Sequence, residues 1–128
     1  GIICFLLSLY DVTKDSAYLD EAKEAAKYIV GEHDFASFCS SGSQVESTVR
    51  TVYRLEVDKN DDVISIIISG NGFLYNMVRI IVGTLIKVGL GVYPPEYVKE
   101  IIEAKDRNAA GPKAPACGLM LVKIDYED

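Results

Sequence analysis

Gly70-Asn71-Gly72-Phe73-Leu74-Tyr75-Asn76-Met77-Val78-Arg79-Ile80-Ile81-Val82-Gly83 is the stretch where the chain changes its period. Ahead of it, Val63 to Ser69 alternates: Ile64, Ile66 and Ile68 fall on one face of a strand, and Val63, Ser65, Ile67 and Ser69 on the other. After Gly72, apolar residues at 74, 77, 78, 81, 85 and 88 predict a helix running to about Leu90. Asn76, Arg79, Gly83 and Lys87 form a narrow polar stripe along that helix. Arg79 stands between Val78 and Ile80, and a permanent cation so placed must reach water at the rim or have a partner. Positions 75, 76, 82 and 83 are Tyr, Asn, Val and Gly, so no carboxylate at helical spacing satisfies it locally. Any charged partner comes from elsewhere in the fold or from outside the chain.

Working back toward the start, Thr48 to Asp58 also has period two. Val49, Thr51, Tyr53, Leu55 and Val57 alternate with Arg50, Val52, Arg54, Glu56 and Asp58. With a turn at Asn60-Asp61-Asp62, this strand and Val63–Ser69 predict an antiparallel hairpin. The Ser-rich stretch from Cys39 to Glu46 reads as a connecting loop. Phe35 and Phe38, three apart, predict a short helical turn pinned to the core. Before them, Ala22, Ala25, Ala26 and Ile29 line one face of an amphipathic helix whose other face carries Glu21, Lys23, Glu24 and Lys27. Asp15, Ser16 or Asp20 can cap its start, and Gly31 suits its end. Residues 1–12 are left unassigned, because so short an apolar run reads equally as strand or helix.

Toward the other end, Gly89 and Gly91 stop the central helix, and Pro94-Pro95 opens another that turns Tyr97, Val98, Ile101 and Ile102 inward. That helix is expected to fray around Lys105-Asp106-Arg107. A loop rich in Ala, Gly and Pro follows to Gly118, and Leu119 to Tyr126 alternates as a last strand adding to the hairpin sheet. The expected architecture is α+β: an antiparallel or mixed sheet with helices packed on one face, one domain over residues 13–128.

Composition narrows the function classes. The 128 residues are 49% hydrophobic and 25% charged, a globular balance with length enough for a real core. A net charge of −6 confines any anion-binding surface to a local patch. Cys4, Cys39 and Cys117 are odd in number and scattered, with one histidine in the chain, which fits reduced cytosolic thiols better than a zinc site or a disulfide framework. The apolar opening, Ile2 to Leu7, is too short to span a bilayer and has no basic segment before it, so no membrane role is expected. Starting on Gly1 rather than Met, the chain reads as a piece of a longer protein.

Three constellations have chemical potential beside a plainer reading. Gly70-Asn71-Gly72 before a helix resembles a phosphate cradle, yet it lacks the third glycine of a dinucleotide fingerprint and the Gly-Lys-Ser/Thr of a P-loop. A turn needing positive φ beside tight helix–sheet packing explains it better. His33 and Asp34 are adjacent and do not face each other, which leaves capping as the role for Asp34. Arg50 and Arg54, four apart on one strand face with Lys59 at the hairpin tip, offer a phosphate track, against a default of cross-strand ion pairs on a solvated face.

Gly70 to Gly83 resembles the third sequence motif of the tRNA pseudouridine synthase A family. Gly31-Glu32-His33-Asp34-Phe35 is similar to that family's G-x-H-D-F segment. Lys105 to Ala116, with Gly118-Leu119 and Ile124-Asp125-Tyr126, resembles its C-terminal signature. Lys113 departs from a more usual threonine, and Gly1 to Tyr10 matches nothing in the pattern. The family's nucleophilic aspartate, in an Arg-Thr-Asp-x-Gly-Val-His-type motif, is not in this sequence, since Arg-Thr precedes no aspartate here.

The resemblance therefore implies the C-terminal half of an enzyme that isomerises uridine to pseudouridine in the tRNA anticodon stem-loop, inactive without its N-terminal half. It implies a cytoplasmic homodimer at full length, with no metal and no cofactor. Arg79 matches the arginine that pairs with the aspartate. Leu74, Met77 and Val78 are expected to give apolar surface near the flipped base, and Arg50 and Lys113 to contact phosphates. Two rivals stand beside this reading: a non-enzymatic RNA-binding or dimerisation module of the same fold, and a small-anion domain built on the Gly70–Gly72 turn.

Overall fold

The computed structural model of the chain describes residues 2–10, 16–40, 46–61, 63–114 and 119–125. Strand β1 (Ile2–Tyr10) is followed by helix α1 (Ser16–Lys27) and the short strand β2 (Gly31–Asp34). A 3₁₀ turn at Ala36–Phe38 leads toward the hairpin of β3 (Val49–Asn60) and β4 (Val63–Gly70). Helices α2 (Met77–Gly89) and α3 (Tyr97–Ala104), a second 3₁₀ turn (Arg107–Ala109) and strand β5 (Leu119–Asp125) complete the order.

The sheet runs β2-β3-β4-β1-β5 with every neighbour antiparallel, so the α+β expectation holds and its antiparallel form is the one adopted. Apart from the added β2 and α3, the order β-α-β-β-α-β with its first strand between β4 and β5 is the split βαβ arrangement. The opening segment, undecided between strand and helix from its sequence, is thus an interior strand. Leu7 in it is fully buried opposite Ile66.

One face of the sheet meets the helices. Leu55, Val57, Ile64, Ile66 and Ile68 are buried there, as the alternation of β4 predicts. From α1, Ala22, Ala25 and Ala26 are buried, with Ile29 just beyond its end, while Glu21, Lys23, Glu24 and Lys27 are exposed. The small alanines let α1 lie close against α2 and β3. Phe35 and Phe38 pack edge to face with centroids 6.0 Å apart, both fully buried; the N-cap of their turn is Phe35 rather than Asp34, whose Oδ1 accepts from the Ala36 amide at 3.1 Å as an Asx turn leading into it. Asp15 lies outside the described residues, as does Asp62 of the hairpin turn.

Several expectations need correction. The strict alternation of β3 is broken by a β-bulge between Val52 and Arg54, so Val52 and Leu55 are both buried while Tyr53 is half exposed. Arg50 shares the face of Val52, and Arg54 falls on the opposite face with Glu56, which pairs with it. The two arginines therefore do not form one track. Gly70 and Gly72 do not adopt positive φ; that conformation belongs to Asn76 at φ 61°. The packing half of the glycine reading stands, because a Cβ on Gly70 would lie 2.6 Å from the Thr51 carbonyl oxygen. Helix α2 begins at Met77, a turn later than its apolar pattern predicts, since a left-handed Asn76 cannot belong to a right-handed helix. The end of α3 falls where the sequence placed it: the helix stops at Ala104, Lys105 turns the chain at φ 50°, and the Asp106 carboxylate accepts from the Asn108 amide at 3.0 Å to cap the following turn.

Candidate active site

Helix α2 presents Arg79 in its first turn, half-buried, beside the loop that follows the second 3₁₀ turn. The loop can reach it because both surfaces are stripped of side chains where they meet. A Cβ on Gly83 would fall 1.6 Å from the Pro112 carbonyl oxygen, and one on Gly111 would fall 2.9 Å from the Thr84 Cα. These two glycines permit a backbone-to-helix approach that any larger residue would block.

Polar bonds fasten the approach. The Gly111 amide donates to Thr84 Oγ1 at 3.0 Å, and that hydroxyl donates to the Ile80 carbonyl at 2.9 Å. Arg107 Nη1 donates to the Gly111 carbonyl at 2.9 Å. The loop's Ala114 then clasps Arg79 twice: its amide donates to the Arg79 carbonyl at 3.0 Å, and its carbonyl accepts from Arg79 Nε at 2.8 Å. Arg79 Nη1 also donates to Asn76 Oδ1 at 3.3 Å. Both acceptors are uncharged, and among the described residues no carboxylate lies within ion-pair distance of the guanidinium.

The other residues singled out from the sequence are distributed unevenly. Leu74, Met77 and Val78 are buried in the core, where they back the helix start. The exposed apolar side chain of that turn is Tyr75, at 65%. Arg50 folds back onto the carbonyls of Ser47 and Val49, at 2.8 and 2.7 Å, with its stem 3.5–3.7 Å from where a Cβ on Gly72 would lie. Lys113 is exposed in the loop, one residue before Ala114. Lys105 Nζ stands 4.0 Å from Asp34 Oδ2, tying β2 to the end of α3. The His33 ring meets Phe35 edge to face and holds the Val30 carbonyl through Nε2 at 3.1 Å, a structural use of the one histidine.

Sequence reasoning placed Asn76 in the polar stripe but gave it no task, and it passed over Ser40, Thr84 and Ala114. The legible signal was the pair of glycines, one in α2 and one in the loop, which marks a close backbone approach. No group of three potential metal ligands occurs among the described residues, and no helix among them is long and apolar enough to cross a membrane.

Comparison with known proteins gives this geometry a context. A profile of the tRNA pseudouridine synthase family matches residues 25–127. The chain is 56% identical over 108 residues to the tRNA pseudouridine synthase A of Thermoanaerobacter sp. (strain X514), covering 84% of this chain and 44% of that protein. It is 50% identical over 108 residues to the protein of the same name from Chlamydia muridarum (84% and 40% covered). With that of Bacillus subtilis it shares 47% over 110 residues (86% and 44% covered). The chain thus spans less than half the length of these curated relatives, and the profile match over residues 25–127 contains the three blocks whose resemblance is described above. On the extent of the profile match and these identities, the chain belongs to the tRNA pseudouridine synthase family.

Proposed function

We propose that the chain is the C-terminal half of an enzyme that converts uridine to pseudouridine in the anticodon stem-loop of tRNA, and that Arg79 is its electrostatic contribution to the reaction. The observation that carries this reading is a cation held in a fixed direction by neutral acceptors, with no carboxylate partner among the described residues. The reaction breaks the N-glycosidic bond, turns the uracil and rejoins it through C5. A carboxylate nucleophile for such chemistry must be ionised in a site that excludes water. Burial raises a carboxyl pKa, and an oriented guanidinium opposes that shift. The aspartate comes from the N-terminal half, outside this sequence, and the ion pair forms across the junction of the halves. Leaving the carboxylate unpaired would cost ~3–5 kcal/mol, by analogy with broken buried pairs.

In this reading Leu74, Met77 and Val78 shape the wall beside the flipped base by fixing the start of α2, and Arg50 and Lys113 meet tRNA phosphates. The full-length enzyme works as a cytoplasmic homodimer, as family resemblance implies, and needs no cofactor. The test is Arg79→Ala in the full-length protein, assayed for pseudouridine formation and for tRNA binding. Turnover should fall ~100-fold or more, as for removal of a strong electrostatic contact, with tRNA affinity within ~3-fold of wild type. Near-normal turnover would remove the assignment. The isolated chain should convert no uridine, and measurable turnover by it would sink the claim that the nucleophile lies elsewhere.

A further inference from the structure

Asn76 occupies the N-cap of α2, where an asparagine ordinarily turns its side-chain oxygen onto the free amides of the first helical turn. Here it makes no such bond. Its Oδ1 instead accepts from Arg79 Nη1 at 3.3 Å, and its Nδ2 donates to Ser40 Oγ at 2.9 Å. The amide's orientation follows from the partner, since a guanidinium only donates and must therefore face the oxygen. Ser40 is itself held, its amide donating to the Tyr75 carbonyl at 3.1 Å. The backbone at Asn76 lies at φ 61°, ψ 9°, a left-handed conformation that asparagine tolerates better than most residues. The helix start has given up a side-chain cap, and the group that would supply it is aimed at Arg79.

We infer that Asn76 is a positioning residue for the reaction: a neutral acceptor that orients the Arg79 guanidinium without neutralising it. The role requires a neutral group. A carboxylate at the same place would take Arg79 for itself, as an i, i+3 ion pair, and leave the incoming aspartate without its partner. An amide fixes direction and leaves the charge available. Together with the Ala114 carbonyl on Nε, it holds the guanidinium from two sides. This inference rests on the proposed role of Arg79.

The test uses the full-length enzyme with Asn76→Gly, Asn76→Asp, Arg79→Ala and the Asn76→Gly/Arg79→Ala double variant. Glycine keeps the left-handed backbone without strain and deletes the amide. Aspartate keeps size and backbone and adds charge. Asn76→Gly should lower kcat ~10-fold, the size of a lost hydrogen bond to a charged group, with tRNA affinity unchanged. Asn76→Asp should lower kcat further while its melting temperature stays level or rises. Asn76→Gly should add no loss on the Arg79→Ala background. A merely structural asparagine predicts the opposite order, with Asn76→Asp close to wild type; that order, or wild-type turnover in Asn76→Gly, overturns the inference while Arg79→Ala remains inactive. Full activity of Arg79→Ala alone would instead remove the reading of Arg79, and this inference with it.

Discussion

Thr84 shows how a single hydroxyl joins two segments far apart in the chain. It is fully buried, accepts from the Gly111 amide and donates to the Ile80 carbonyl, and so answers a buried loop donor from within a helix. Thr84→Val keeps the shape and leaves the Gly111 amide without its acceptor. Urea denaturation should show a loss of ~1–3 kcal/mol, the cost of an unsatisfied buried donor; an unchanged midpoint would mean the loop finds another acceptor. Ser37 works the same way. Buried among apolar side chains, it donates to the Ile101 carbonyl at 2.6 Å and accepts from the Asp106 amide at 2.8 Å, closing the end of α3 onto the 3₁₀ turn. Neither residue announces this in the sequence, because a Ser or Thr on an apolar face can equally bond its own helix or reach water.

Among the elements, α2 and the loop over it behave as one unit. The loop lies directly on Gly83, and its far end holds Arg79, so a side chain at 83 must displace the backbone rather than a flexible tip. Gly83→Ala gains helix propensity, worth ~1 kcal/mol on an exposed helix, yet overpacking against Pro112 should exceed that and leave a net loss of ~1–3 kcal/mol. The full-length protein carrying it should also lose turnover, since Ala114 would release Nε. A melting temperature at or above wild type would contradict the packing account. The bulge in β3 is a second case in which an element's geometry overrides its pattern. Asn71 fits beside it, its Oδ1 accepting from the Thr51 amide at 2.9 Å and its own amide donating to the Thr51 carbonyl at 3.0 Å. That anchoring fixes where the extra residue sits, and so sends Arg50 and Arg54 to opposite faces.

For the molecule as a whole, β1 decides whether the sheet is continuous. It pairs with β4 over Ile3–Tyr10 and with β5 over Ile2–Leu7, so without it β5 has no neighbour. The family profile begins only at residue 25, so this strand lies outside it and is yet one of the most connected elements of the fold. A chain lacking residues 2–10 should lose its sharp urea transition and most of its β-sheet circular dichroism. A cooperative transition at the wild-type midpoint would show that the remaining strands close up without it. Leu7→Ala, which empties a fully buried site, should cost ~2–5 kcal/mol by the same measurement.

Periodicity alone was sufficient for the hairpin, the faces of α1 and β4, the two later helices and the last strand, because burying one face forces a repeat of two or 3.6 that a sequence must display. The motif around Arg79 was legible for the same local reason: an isolated cation with no carboxylate at helical spacing is visible in the order of residues. What the order could not disclose is where segments meet. The bulge at Tyr53, the interior place of β1 and the Ala114 clasp on Arg79 all depend on backbone groups brought together across 20 or more positions, as Thr51 and Asn71 are. A backbone amide or carbonyl is the same at every residue, so its partner is chosen only when the chain has packed.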